Sequence, residues 1–422
     1  MRSRRLVRSI VFFILLVIVP VVRGQELPAA KPEDVGLSAE KLARVGPAVQ
    51  TLVDEQKVAG AITIVARRGK VVYFEPVGKR DIDSGEPMER DTILRFYSMS
   101  KPITSVGVMM LVDDGKIKLD DPIAKYLPEF KGVRTFVRAN GDGFETESPK
   151  REPTVRDLLR HTGGLTYGIF GNTPVDEAYR KAGILAPTDT LSDLTKKLGG
   201  LPLQYQPGTS WIYSVSTDVL GRIVEVASGK SLDEFFAERI FQPLDMKDTG
   251  FFVPPDKLNR FAATHGMADG KLRVTDAAAT SNFRNRPKLL SGGGGLVSTG
   301  RDYTRFCQMI ASGGELHGKR LLRTEAVHEM TKNQLPDEAF PIAFGPIQRP
   351  GVGFGLGFSV QANRDPLSPS RVGEFGWGGA ASTHFWISPK DELVVIALQQ
   401  FMPFSTRLEQ TIKPLVYEAI TD

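Results

Sequence analysis

The 422-residue chain holds a single cysteine, Cys307. No intramolecular disulfide is available even in an oxidising compartment, so the fold must be held by its core. Cys307 lies in the helix-like stretch Tyr303 to Ile310 and reads as a small buried residue. Histidine is nearly as scarce, at five residues, and His328-Glu329 stops short of the second histidine of an H-E-x-x-H zinc pair. The G-x-S-x-G signature is missing, which disfavours the usual nucleophile-elbow hydrolase. Ser291-Gly292-Gly293-Gly294-Gly295-Leu296 lacks the Gly-Lys-Ser/Thr ending of a phosphate loop and reads as structural, backing a site or allowing tight packing. Internal repeats and low-complexity linkers are absent too.

One long apolar run exists, and it is at the start. Arg2, Arg4, Arg5 and Arg8 precede the apolar Ile10 to Val22, followed by Arg23-Gly24, the layout of a secretory signal over residues 1–24. The run is short for a membrane span, which needs about 20 residues; an uncleaved anchor is the alternative. No cysteine stands nearby to carry a lipid. The formal charge of +5 is misleading, because this segment carries five arginines and no acid, and without it the chain is near neutral. Nucleic acid and acidic membranes therefore lose support as partners. The expected location is secreted or periplasmic, with no stable membrane insertion after signal cleavage. The remaining ~400 residues, in a chain 41% apolar, suffice for one large or two moderate cores.

What the chain does contain is Ser98-Met99-Ser100-Lys101, where the strand-like Ile93 to Tyr97 gives way to the apolar helix-like Val106 to Val112. Residues three apart share a helix face, so the Lys101 amine can reach the Ser98 hydroxyl. Unpaired N–H groups at the helix start favour negative charge developing there. A second copy of the spacing, Ser38-Ala39-Glu40-Lys41, reads instead as a helix N-cap ahead of Leu42.

Around this pair the pattern runs helix (Ser38 to Gln56), then a hairpin of Ala59 to Ala66 and Val71 to Phe74, then mostly helix from Ser98 to about Ala263. The helical stretches are Val155 to Leu159, Leu191 to Leu198, Ser216 to Val226 and Leu232 to Ile240. After a helix at Arg301 to Ile310, strands return at Phe354 to Val360, Thr383 to Ile387 and Leu393 to Gln399, and a helix at Thr406 to Ile420 closes the chain. This order predicts an α/β (α+β) fold: a sheet domain from residues 25–97 and 265–422, with a mainly helical lobe, 98–264, inserted between them. Asn140 to Pro153 is expected as an exposed excursion at the rim of a pocket.

Tyr213 follows a turn and precedes a helix, and a tyrosine there can act as general base. A phenol titrates near pH 10, so it needs an adjacent cation such as Lys101. In Glu374-Phe375-Gly376-Trp377-Gly378-Gly379-Ala380-Ala381, paired glycines permit close approach of backbone to a ligand. The N–H of Ala380 can pair with that of Ser98 as an oxyanion hole. A glycine-rich bulge beside a packed tryptophan is the plain alternative. His161 is expected to fix a loop and His384 to make a contact within the sheet or at its rim.

These elements, with Thr154 to Leu165, Pro207 to Ser214 and Ser291 to Thr299, resemble the serine β-lactamase-related family of class C β-lactamases, DD-peptidases and family VIII carboxylesterases, across residues 35–420. The resemblance implies a β-lactamase/transpeptidase-like fold, with an antiparallel sheet flanked by helices. It makes Ser98 the acylated nucleophile, Lys101 its partner and Tyr213 the base that also protonates the leaving group. Two departures matter. The family's Y-x-N element ends in Val215, which cannot hydrogen-bond a substrate amide or hold Lys101 as an asparagine would, and its K-T-G element is replaced by Trp377-Gly378-Gly379. Tryptophan cannot bind a penicillin carboxylate as lysine does. Both changes resemble the esterase branch, so the expectation is a cofactor-free and metal-free serine hydrolase. It would cleave a small-molecule ester or amide, or transfer its acyl group. The alternatives are a β-lactamase or D-amino-acid peptidase, and a non-catalytic binding protein on the same fold.

Overall fold

The computed structural model describes residues 26–141 and 143–422. The signal expected over residues 1–24 lies outside them. Seven strands form one antiparallel sheet: β1 (Gly60–Arg67), β2 (Lys70–Gly78), β3 (Val352–Phe354), β4 (Ser359–Gln361), β5 (Phe375–Gly379), β6 (Thr383–Ser388) and β7 (Leu393–Gln399). Their spatial order is β3-β4-β5-β6-β7-β1-β2. The two ends of the chain meet where β1 pairs with β7, with Ile64 opposite Ile396. The helices that matter for the site are α1 (Val45–Asp54), α2 (Ser100–Asp113), α3 (Ser216–Ser228), α4 (Gly300–Ala311) and α5 (Arg407–Glu418).

Side chains alternate across a strand, and β1 is apolar on both faces. Ile62, Ile64 and Ala66 join Phe385, Tyr303 and Phe306 in the main core, beneath α4. Ala61 and Val65 join Trp386 and Val395 in a second core, covered by Val45 and Val49 of α1 and Leu408, Ile412 and Val416 of α5. A Cβ on Gly300 would lie 2.7 Å from Ile64 Cδ1, so glycine lets α4 begin directly on the sheet. Helix α2 is buried from Ser100 to Leu111 and packs against α3. A helix apolar on all sides belongs inside. Among the described residues no helix is long and apolar enough to cross a membrane.

Three elements differ from expectation. The helix expected over Ser38 to Gln56 is two pieces, Ala39–Leu42 and α1. Pro47 lies in the first turn of α1, where its missing N–H is harmless, but it cannot donate to a helix continuing from residue 43. Ser38 caps the first piece, accepting from Lys41 N at 3.3 Å. The strand expected at Phe354 to Val360 is the reversal between β3 and β4, turning through Gly357 at φ +102°. The Leu232 to Ile240 helix is α-helical only to Phe236, then continues as a π turn, Ala237–Phe241. The expected excursion Asn140 to Pro153 is exposed or half-buried at most of its described residues, and Gly143–Glu147 within it returns as a hairpin strand against Thr135–Asn140. Gln206 Nε2 donates to Glu147 there at 2.7 Å.

Candidate active site

Ser98 sits in a 3-10 turn, Tyr97–Met99, that runs directly into α2. Tyr97 has φ +43°, a left-handed conformation uncommon outside glycine. Such strain is held only where the surroundings over-determine it. Here Phe96 N donates to Leu296 O at 2.9 Å, Leu296 N donates to Ser100 Oγ at 3.1 Å, and Tyr303 Oη donates to Met99 O at 2.9 Å. The glycine run 291–296 is therefore the strap that fastens the nucleophile turn.

Lys101, one helical turn on, is 1% exposed. Its ammonium donates to Gly293 O at 2.6 Å, to Tyr167 Oη at 2.9 Å and to Ser98 Oγ at 3.3 Å. A buried ammonium needs its donors satisfied, and these three acceptors use its full capacity. Tyr213 Oη lies 2.6 Å from Ser98 Oγ, and Lys101 Nζ lies 4.7 Å from the Tyr213 ring centroid. The cation that a basic tyrosine requires is in place. Either hydroxyl of the Ser98–Tyr213 pair can donate at that separation.

β5 closes the site from the sheet side. A Cβ on Gly379 would overlap the Phe96 carbonyl oxygen, so only glycine lets the strand end approach the nucleophile turn. Ala380 follows Gly379 immediately. Trp377 is 7% exposed, its ring centroid 5.4 Å from Tyr213 and 5.2 Å from Phe354. Gly378 pairs with His384 across β5 and β6. The segment is thus a regular sheet strand rather than a bulge, and its tryptophan packs on the candidate base.

His161 is a buttress. Its Nδ1 is 3.2 Å from Ser214 Oγ and its ring is 5.3 Å from that of Tyr213. Burial pushes its pKa well below 6.5, and the Lys101 charge acts the same way, so the imidazole is neutral. Val215 is buried, and Lys101 has Tyr167 Oη and Gly293 O as acceptors. His384 lies in β6 with its ring 5.0 Å from Phe404. Cys307 is buried in α4.

Two residues escaped the sequence reading. Tyr167 stands two positions beyond the Thr154 to Leu165 motif, with no pattern to mark it. Asp218, in the first turn of α3, is fully buried and accepts from Ser291 Oγ at 2.5 Å and Gly293 N at 3.1 Å. An acid opening an apolar helix five residues after Tyr213 was its only signal.

A serine, a lysine and a tyrosine converging where an antiparallel sheet meets a helical lobe define a class of serine hydrolases and acyltransferases. The family model described as Beta-lactamase matches residues 46–412, and the chain belongs to that family. It is 37% identical over 360 residues to Protein Rv1367c of Mycobacterium tuberculosis, covering 84% of this chain and 89% of that protein. It is 30% identical over 372 residues to Esterase EstB of Burkholderia gladioli, covering 83% and 87%. Among solved structures it resembles EstCE1, described as a hydrolase with promiscuous acyltransferase activity. The TM-score is 0.77 at 26% identity, over 90% of this chain and 99% of that one.

Proposed function

We propose that this protein is an exported serine esterase that cleaves small, neutral esters with an apolar acyl or alcohol part through an acyl-enzyme on Ser98. The observation that carries this is the placing of Ser98 Oγ 2.6 Å from Tyr213 Oη and 3.3 Å from Lys101 Nζ. Tyr213, with Lys101 beside it, takes the Ser98 proton as Oγ attacks the ester carbonyl. The backbone N–H groups of Ser98 and Ala380 face the developing oxyanion. Tyr213 returns the proton to the departing alkoxide. Water then enters by the same route, with Tyr213 as base, to release the acid; an alcohol in its place gives acyl transfer.

The substrate class rests on the lining. Trp377 offers an indole where a carboxylate-bearing lactam or D-Ala-D-Ala peptide would need a cation. The aromatic wall continues outward through Phe170, whose ring is 5.5 Å from Tyr213 and 6.3 Å from Phe344. Ile169, Phe170 and Ile347 stay exposed beside it, at 69, 44 and 68%. Such a lip favours apolar substituents. The layout of residues 1–24 supports export.

Incubation with a fluorophosphonate probe, a short-chain nitrophenyl ester and a chromogenic cephalosporin tests the reading. Labelling should depend on Ser98, be lost in Ser98→Ala and persist in Ser38→Ala, with the ester turned over far faster than the cephalosporin. Cephalosporin preference would return the chain to the lactamase reading, and absence of labelling to the non-catalytic one.

A further inference from the structure

Asp218 is a buried carboxylate that the proposed mechanism does not use. It is 0% exposed, and its Oδ1 accepts from Ser291 Oγ at 2.5 Å and Gly293 N at 3.1 Å. Oδ2 is buried with no side-chain or backbone partner among the described residues. A Cβ built on Gly293 would lie 2.5 Å from that Oδ2 and 3.1 Å from Tyr167 Oη, so the carboxylate and the phenol flank the same bare Cα. The Gly293 carbonyl, on the same residue, is the 2.6 Å acceptor of the Lys101 ammonium, and Tyr167 Oη is its 2.9 Å acceptor. Two of the three acceptors that hold Lys101 are thus themselves set against Asp218.

We propose that Asp218 is a positioning residue for the acyl-transfer site. Its ionised carboxylate holds the 291–293 strap and stands as the buried counter-charge to Lys101, keeping the ammonium between Ser98 and Tyr213. The inference rests on the serine-hydrolase reading above. The groups facing this cluster are Ser98 in the turn before α2, Lys101 in the first turn of α2, His161 and Tyr167 from the segment after helix Val155–Leu159, Tyr213 ahead of α3, and Ser291 from the strap. Among them Asp218 is the one carboxylate and Lys101 the one ammonium; His161 is neutral. Burial raises the Asp218 pKa above its ordinary 3.8, and the Lys101 charge and the Ser291 and Gly293 hydrogen bonds oppose that rise. Ionisation of Asp218 therefore depends on these partners.

The test is the pH dependence of kcat/KM on a neutral nitrophenyl ester. Replacing the carboxylate by an amide removes one negative charge from the cluster. This lowers the pKa of every titrating group around it, whether Lys101 or a tyrosine. Asp218→Asn should move the alkaline limb about one pH unit towards acid and lower kcat. Ser291→Ala keeps the charge but deletes a hydrogen bond to the ionised form, raising the Asp218 pKa, so it should move the acid limb towards alkaline pH. A role confined to packing lowers the rate without moving either limb. An unmoved profile in Asp218→Asn overturns the inference. If that variant does not fold, an unmoved acid limb in Ser291→Ala overturns it alone. Fluorophosphonate labelling of wild-type Ser98 is independent of either result, so the failure of this inference and the failure of the hydrolase reading are distinguishable.

Discussion

In the proposed mechanism Tyr213 carries the heaviest chemical demand, because there a phenol must act as base near neutral pH. Its geometry meets that demand: a 2.6 Å approach to Ser98 Oγ, the Lys101 charge under its ring, and neutral His161 and Trp377 fixing its plane. Tyr213→Phe should lower kcat on esters on the order of 10²-fold or more, the usual scale of general acid/base work. A Phe variant with wild-type rates in steady-state kinetics would transfer the base role to Lys101 alone. On the proposed reading, Trp377 sets substrate class rather than rate. Trp377→Lys should raise the ratio of kcat/KM for carboxylate-bearing over neutral substrates. A charge-assisted hydrogen bond is worth ~1.5–3 kcal/mol and an exposed pair ~0–1, so the gain should be modest. Any general damage to β5 cancels in the ratio, and a ratio that does not move removes the physical basis for the esterase assignment.

At the scale of elements, the site depends on two backbone approaches that side chains would prevent. Gly379 lets β5 reach the Phe96 carbonyl, and Gly293 leaves room for Asp218 and Tyr167. Gly379→Ala should displace Ala380 from Ser98 and cost on the order of 10²-fold in kcat, the scale of one lost oxyanion donor, with KM changed much less; turnover at saturating ester reads it. Local elements with strong signals were legible in advance. The sequence pattern alone marks Val155–Leu159 with its observed bounds and places β6, β7 and α3 within a residue or two. Ser98, Lys101 and Tyr213 were legible because their spacing and flanks are local. What was hidden is non-local. The β3–β4 reversal looks like one apolar strand until Gly357 is seen to turn. Tyr167 and Asp218 acquire meaning only when the 291–293 strap folds back onto α2 and α3.

Across the whole molecule, the sheet separates the chemistry from a charged cluster on its other face. Lys413 of α5 donates to Glu374 Oε1 at 2.8 Å and Glu409 Oε1 at 2.9 Å, and lies 4.6 Å from the Trp386 ring centroid in the second core. Burial pushes Glu409 up, but Lys413 and His384 outweigh it and hold it at about 2, against 4.5 unperturbed. A depressed carboxylate stabilises the fold above its unfolded pKa, and that contribution is lost as pH falls through the folded value. The stability difference between wild type and Glu409→Gln in urea unfolding should therefore be present at neutral pH and shrink between pH 4.5 and 2, leaving ester turnover per folded molecule unchanged. A difference constant across that window would contradict the ion-pair account.

The central claim is that catalysis passes through an ester on one serine. Acid-quenching the enzyme during turnover of a nitrophenyl ester, followed by peptide mapping by mass spectrometry, tests it directly. The account predicts the acyl mass on the peptide containing Ser98, absent in Ser98→Ala and accumulating further in variants whose deacylation is slowed. An acyl group on another residue, or continued turnover by Ser98→Ala at the wild-type rate, would contradict it.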